Sequence, residues 1–119
     1  MTGRGITVKI NKELLRGSTV ILILKSLEKR PMYGYEMIRE IEDESGEVFR
    51  LNQGTLYPLL HTLESKGFVS SYWNSEGARP RKYYQVTDRG LGELQKKKKE
   101  WTVFRSAVDR VLGEAIVCH

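Results

Sequence analysis

The side chains best suited to do chemistry in this sequence sit on the outside of one short helix. In the stretch LNQGTLYPLLHTLESKGFV, Leu56, Leu59, Leu60 and Leu63 fall on one face at helical spacing. The opposite face carries Gly54, Pro58, His61 and Ser65, with Asn52, Gln53, Thr55, Tyr57 and Thr62 around it. These groups are compact, mostly hydrogen-bonding and almost uncharged, where an ordinary solvated helix would carry Lys and Glu. The chemistry such a face suits is reading: donors and acceptors held close to base edges, with no bulky ion pairs in the way. Tyr57 can reach a phosphate through its hydroxyl or pack on a sugar. His61 can donate to a phosphate or a base edge, and Lys66 can hold a backbone. A surface helix that merely lacks charge would present the same face, so the neighbouring elements must decide.

Other chemistry is poorly supplied. The two histidines are His61 and the terminal His119, and His61 has no second histidine four residues on. The sequence has no glycine-rich phosphate loop, no HExxH and no nucleophile elbow. Its acids cluster on one helix without a partnered base. We therefore expect no enzyme, no cofactor and no metal site. The single cysteine, Cys118, excludes an internal disulfide, and nothing beside it marks a redox sensor. With His119 next to it, only a weak metal site is conceivable.

The 119 residues fit one domain with a modest core, and a 39% hydrophobic and 29% charged composition is that of a globular protein. No apolar run approaches the ~20 residues that span a bilayer; VILIL at 20–24 is far too short. The opening MTGRGITVKI lacks the apolar stretch of a secretory signal, so a reducing cytoplasm is the expected location. The net charge of +5 is unevenly placed. Residues 36–47 hold six acids and one base, while residues 79–99 hold eight bases and two acids. A phosphate backbone would be drawn to one side only.

The elements that must position the reading face follow from periodicity. Residues 11–28 read as a first helix, with Asn11 as cap and Glu13 in the first turn. Its run from Val20 to Leu24 is apolar on every side, which predicts burial all round; a short buried strand is the alternative, and length and cap favour the helix. Pro31 closes it. Residues 34–45 resume helical spacing through Met37, Ile38 and Ile41, with Gly46 as stop. The third helix ends at Gly67. FVSSYWN and RKYYQVT then read as two strands joined by the turn SEGARP, with Arg79, Arg81 and Lys82 near the hairpin tip. Tyr33, Tyr35, Tyr83 and Tyr84 are assigned to core and hairpin packing. From about Asp88 to Gly113 runs one long helix capped by Thr87. Leu94, Trp101, Val108 and Ala115 recur every seven residues, with Phe104 and Val111 three beyond members of that series. This is a seam for a partner helix, interrupted by Lys97 and weakened by Gly113. The KKKK run at 96–99 is best read as a solvated face.

Three helices and a hairpin give the plan of a mainly α (α+β) winged helix-turn-helix, residues 1–87, followed by a long C-terminal dimerisation helix, residues 88–119. In that plan the third helix enters the major groove and the wing cations hold phosphates; which of Arg79, Arg81 and Lys82 does so stays open. Pro58 fits the first turn if Thr55 is the N-cap, and lies deeper, bending the helix, if Asn52 is. We favour Thr55.

The blocks MYGYE, GTLYPLLHTLE and RKYYQVT, within a match covering residues 13–112, resemble the PadR family of bacterial transcriptional regulators. The resemblance implies homodimers with winged-helix DNA-binding domains, mostly repressors released by small molecules. The segment SSYWNSEGARPRKYYQVT with EWTVFRSAVDRVL is similar to the multidrug-sensing members. There a tryptophan of the C-terminal helix faces its symmetry mate, and planar aromatic drugs slot between the rings. Trp101 stands in that place, Val20 matches a pocket-lining position, and Phe104 and Arg105 lie beside it. Arg105 falls where some drug-binding members carry an acid.

Two roles for Trp101 stay open: filling a dimer core, as large aromatics at heptad spacing usually do, or walling a ligand slot. A seam of Leu94, Trp101, Phe104, Val108 and Val111 would pair two chains. Their third helices would enter successive major grooves ~34 Å apart, on an inverted-repeat operator in double-stranded DNA. The alternative is a winged-helix protein without a ligand pocket, acting as a constitutive DNA-binding or protein-interaction module.

Overall fold

The computed structural model describes residues 12–114, with side chains from residue 18 onward. The cap at Asn11, the Glu13 side chain, Ala115 of the seam, and Cys118 and His119 lie outside the described residues. The order is α1 (Lys12–Lys29), β1 (Met32–Tyr33), α2 (Gly34–Glu44), α3 (Gln53–Ser65), β2 (Val69–Asn74), β3 (Arg81–Val86) and α4 (Asp88–Leu112).

The apolar run of α1 makes it the hub: it packs on α2, β3 and α4. Ile23, Leu24 and Leu27 are buried, but Val20, Ile21 and Leu22 are only partly so. The expectation of burial all round is corrected to that extent: these three side chains pack against the core but keep part of their surface open. Met37 and Ile41 of α2, and Leu56, Leu60 and Leu63 of α3, close the core from the other side.

The strand β1 was not legible from spacing. After Pro31, Met32 pairs with Tyr84 and Tyr33 with Tyr83, adding an edge to an antiparallel sheet of order β1-β3-β2. Two residues are too few to show a period. Tyr33 then caps α2, its backbone N–H donating to Glu36 Oε1 at 3.2 Å. Tyr35 does not pack in the core: it is exposed on α2, where Arg39 Nη1 donates to its hydroxyl at 3.1 Å.

Helix α3 begins earlier than the sequence reading favoured. Asn52 is the N-cap, its Oδ1 accepting from the Thr55 N–H at 2.9 Å. Asparagine is among the best caps, since its short amide reaches the third free N–H of the helix. Thr55 is thus helical, not the cap, and Pro58 lies in the second turn. The donor it removes would have served the Gly54 carbonyl, and both residues are exposed, so water can serve that carbonyl instead; α3 runs unbroken to Ser65. At its end Gly67 adopts φ 80°, and the Phe68 N–H returns to the Leu63 carbonyl at 2.9 Å.

Here four elements meet. The Thr87 hydroxyl donates to the Gly67 carbonyl at 2.7 Å, and its N–H to the Phe68 carbonyl at 3.1 Å. Thr87 also caps α4, accepting from the Gly90 N–H at 3.0 Å. Gly90 is buried hard against the Phe68 carbonyl, where a Cβ would collide with that oxygen and come within 2.7 Å of Val86. One turn on, Leu94 is fully buried in the core of its own chain. It has no surface left for a partner, which corrects its assignment to the seam. Beyond Lys97, α4 leaves the body: of residues 98–112 only Asp109 is even partly buried.

Candidate nucleic-acid interface

Between α3 and the wing lies an open groove of about 670 Å³. Its α3 wall is Tyr57 and His61; its wing wall is Trp73, Arg79, Pro80, Arg81, Lys82 and Tyr84; Tyr33 of β1 closes the base. None of these lining side chains is acidic. Among the described residues no ion pair engages Arg79, Arg81 or Lys82. Some cations elsewhere are partnered: Lys29 with Glu40 and Glu44, Arg50 with Glu42 and Glu47, Lys97 with Glu93, Arg105 with Asp109. Lys66 and the α4 residues Lys96, Lys98 and Lys99 resemble the wing cations in having no ion pair among the described residues. What sets the groove apart is three such cations with no acid among its walls. A groove with free cations and no counter-charge draws a polyanion.

The wing is braced at a fixed angle to α3. Ser71 Oγ donates to Glu64 Oε2 at 2.6 Å, tying β2 to the helix. On the outer face of the sheet the Tyr33 and Tyr83 rings meet edge to face at 5.4 Å, and Tyr83 stacks on Tyr72 at 5.8 Å. Arg81 donates to the Tyr33 hydroxyl at 3.2 Å, with its guanidinium 4.6 Å from the ring centre. Lys82 leans to 5.7 Å from the Tyr84 ring. Burial raises the pKa of the Tyr84 phenol above its ordinary value, with Glu64 adding to the effect, so it stays neutral.

The structure brings together five of the residues singled out in the sequence: Tyr57, His61, Arg79, Arg81 and Lys82. Tyr57 is half-open, and its ring leans so closely over Gly34 that a Cβ there would strike its hydroxyl. Asn52, Gln53 and Pro58 are exposed along α3, and Thr55 is half-buried. The Asn52 side chain is held in the cap. Lys66 is set apart: it borders a small recess with Val20, Leu59, Thr62, Phe68, Glu93 and Lys97, on the flank of α3 turned away from the wing. Val20 lines that recess and Trp101 does not. Tyr33 and Trp73 of the groove were missed as site residues. Only the strand register places them there, and the alternation of β2 was the available signal.

The second exposed surface is apolar. Trp101, Phe104, Val108 and Val111 form an open stripe on α4, with the Trp101 and Phe104 rings stacked at 6.0 Å. Arg105 on the same stretch is paired with Asp109 at 3.8 Å. Among the described residues no group of His, Cys, Asp and Glu could hold a metal ion, and no helix is long and apolar enough to cross a membrane.

Comparison with known proteins agrees with this geometry. The transcriptional regulator PadR-like family matches residues 23–96, from mid-α1 through the wing into α4. A PadR family transcriptional regulator from Eggerthella lenta is 39% identical and superposes with a TM-score of 0.75, over 84% of this chain and 86% of that one. A transcriptional regulator from Clostridium thermocellum is 29% identical with a TM-score of 0.79, over 85% of this chain and 96% of that one. The transcriptional regulator Rv3488 of Mycobacterium tuberculosis is 30% identical over 83 residues, 70% of this chain and 75% of that protein. The chain belongs to the PadR-like family of transcriptional regulators, and its winged helix is a DNA-binding fold.

Proposed function

We propose that this regulator is a homodimeric repressor, paired through α4 and released from an inverted-repeat operator by a planar aromatic ligand at the dimer axis. The observation that carries the reading is the stripe of Trp101, Phe104, Val108 and Val111, a run of large apolar side chains that the described residues leave uncovered. Burying such a stripe is the main force available for association. Val20, Ile21 and Leu22 of α1, only partly buried against the core, add further apolar surface. Pairing would set two α3–wing units on successive major grooves. Gln53, Thr55, Tyr57, Pro58 and His61 would face base edges and backbone, and Arg79, Arg81 and Lys82 the phosphates. Asn52 would contribute its backbone position, its side chain being held in the cap. A cytoplasmic location follows from DNA as partner.

A ligand shifts such a protein only by the difference in its affinity for the DNA-competent and DNA-incompetent arrangements. Trp101 supplies a flat apolar wall for that purpose. The stack of Trp101 on Phe104 favours a second reading, a seam that is simply packed. One titration separates the two. Tryptophan fluorescence is followed while planar aromatic dyes are added. Saturable quenching that Trp101→Ala abolishes and Trp73→Phe preserves supports the ligand slot. No quenching across the panel removes it and leaves a constitutive DNA-binding dimer.

A further inference from the structure

We propose that Trp73 is a DNA-contacting residue, its indole seated on the deoxyribose edge of the duplex backbone while Lys82 beside it meets the phosphate. The inference rests on the docking of α3 and the wing described above. The register of the hairpin puts Val69 opposite Val86, Ser71 opposite Tyr84 and Trp73 opposite Lys82. Alternate pairs share one face of a sheet, so all six side chains lie on the same side. At its base this face is core: Val69 and Tyr84 are buried, as is Met32 across from Tyr84. Two residues further out the same face carries an indole that is 66% exposed. The strands outrun the helices there, and the core-forming face continues into the groove opposite Tyr57 and His61.

An indole in that position leaves most of its surface uncovered by the described residues, and its chemistry selects the occupant. It offers a broad apolar plane with one N–H donor, with Lys82 beside it on the same face and Arg79 and Arg81 lining the same groove. An apolar protein partner covering the indole would strip water from neighbouring cations that no acid pairs and give them no counter-charge in return. A nucleic-acid backbone satisfies both: phosphates for the cations and the indole N–H, sugar C–H groups for the ring. The two kinds of contact differ in one measurable respect. A cation on a phosphate releases counterions, whereas an apolar contact on a sugar releases none.

The test is an anisotropy titration of a fluorescein-labelled duplex, selected from a random library by binding to the wild-type protein, between about 50 and 200 mM KCl. Trp73→Ala is expected to weaken binding about tenfold at every salt concentration and to leave the log–log salt slope unchanged. Trp73→Phe keeps most of the affinity, which shows that the wing is intact. Lys82→Ala weakens binding and lowers the slope by about one. A Trp73→Ala protein that binds like wild type at all salts overturns the inference while the docking stands. So does a Trp73→Ala variant that loses self-association in sedimentation, since the indole then packs on a second copy. A wild type that selects no duplex removes the docking and this inference together.

Discussion

Trp73 and Trp101 are the two tryptophans of the chain, both open to solvent, and they stand on surfaces of opposite character. Trp73 lies at the rim of a groove walled by three unpaired cations, on a hairpin braced to α3. Trp101 lies on a helix that has left the body, next to Phe104 and two turns from Val108. The same side chain thus carries different information in the two places. Among cations an exposed aromatic has a polyanion as its fitting partner; in an apolar stripe its fitting partner is another apolar surface. The difference teaches that exposure alone does not identify a binding residue and that the charge of its neighbours does.

The comparison can be broken most sharply on α4. Trp101→Asp places a charge in the stripe. It should raise the dimer dissociation constant about a hundredfold, ~3 kcal/mol, in sedimentation equilibrium. An unchanged dimer would mean that chains pair elsewhere. The joint between the two regions comes next. Gly90→Ala drives a methyl group into the Phe68 carbonyl, which is backbone and cannot swing aside. Urea unfolding should show a loss of about 2–3 kcal/mol, and full stability would mean that α4 is loosely seated. On the wing, Arg81→Ala should weaken DNA binding about tenfold and flatten the salt slope by about one, with the dimer intact. A loss confined to dimerisation would erase the distinction between the surfaces. Smallest is Asn52→Ala, which removes the α3 cap without touching either tryptophan. We expect ~1 kcal/mol and a Tm lower by about 5 °C; an unchanged Tm would mean that the cap contributes no net stability.

How much of this was legible in the sequence depends on how local each signal is. The outward face of α3, the hairpin, and the Thr87 cap of α4 are written in residues a few positions apart, and the structure has them where spacing placed them. The cap of α3 was misjudged because Asn52 and Thr55 are both good caps and Pro58 prefers a first turn; the amide reaching the Thr55 N–H outweighed that preference. The pair Met32–Tyr33 could not show a period at all. Leu94 obeys the seven-residue repeat as well as Trp101 does, yet one is core and the other exposed. A repeat records which side of a helix is apolar, not whether its own chain or another covers it. Trp73 and Tyr33 entered the site through pairing across strands distant in sequence; the alternation of β2 hints at the face of Trp73, but no local pattern records its partners.

The junction at Thr87 and Gly90 has a mechanical consequence. Helix α4 has 25 residues, about 37 Å at 1.5 Å per residue, and it is clamped near one end to Gly67 and Phe68, the link between α3 and β2. It works as a long lever on a short fulcrum. A tilt of about 5° at the clamp sweeps the free end through about 3 Å. Run in reverse, the same ratio makes the helix a reduction gear. Displacements of several ångströms at the far end correspond to a few degrees of rotation at the clamp, where the chain passes from α3 into the wing.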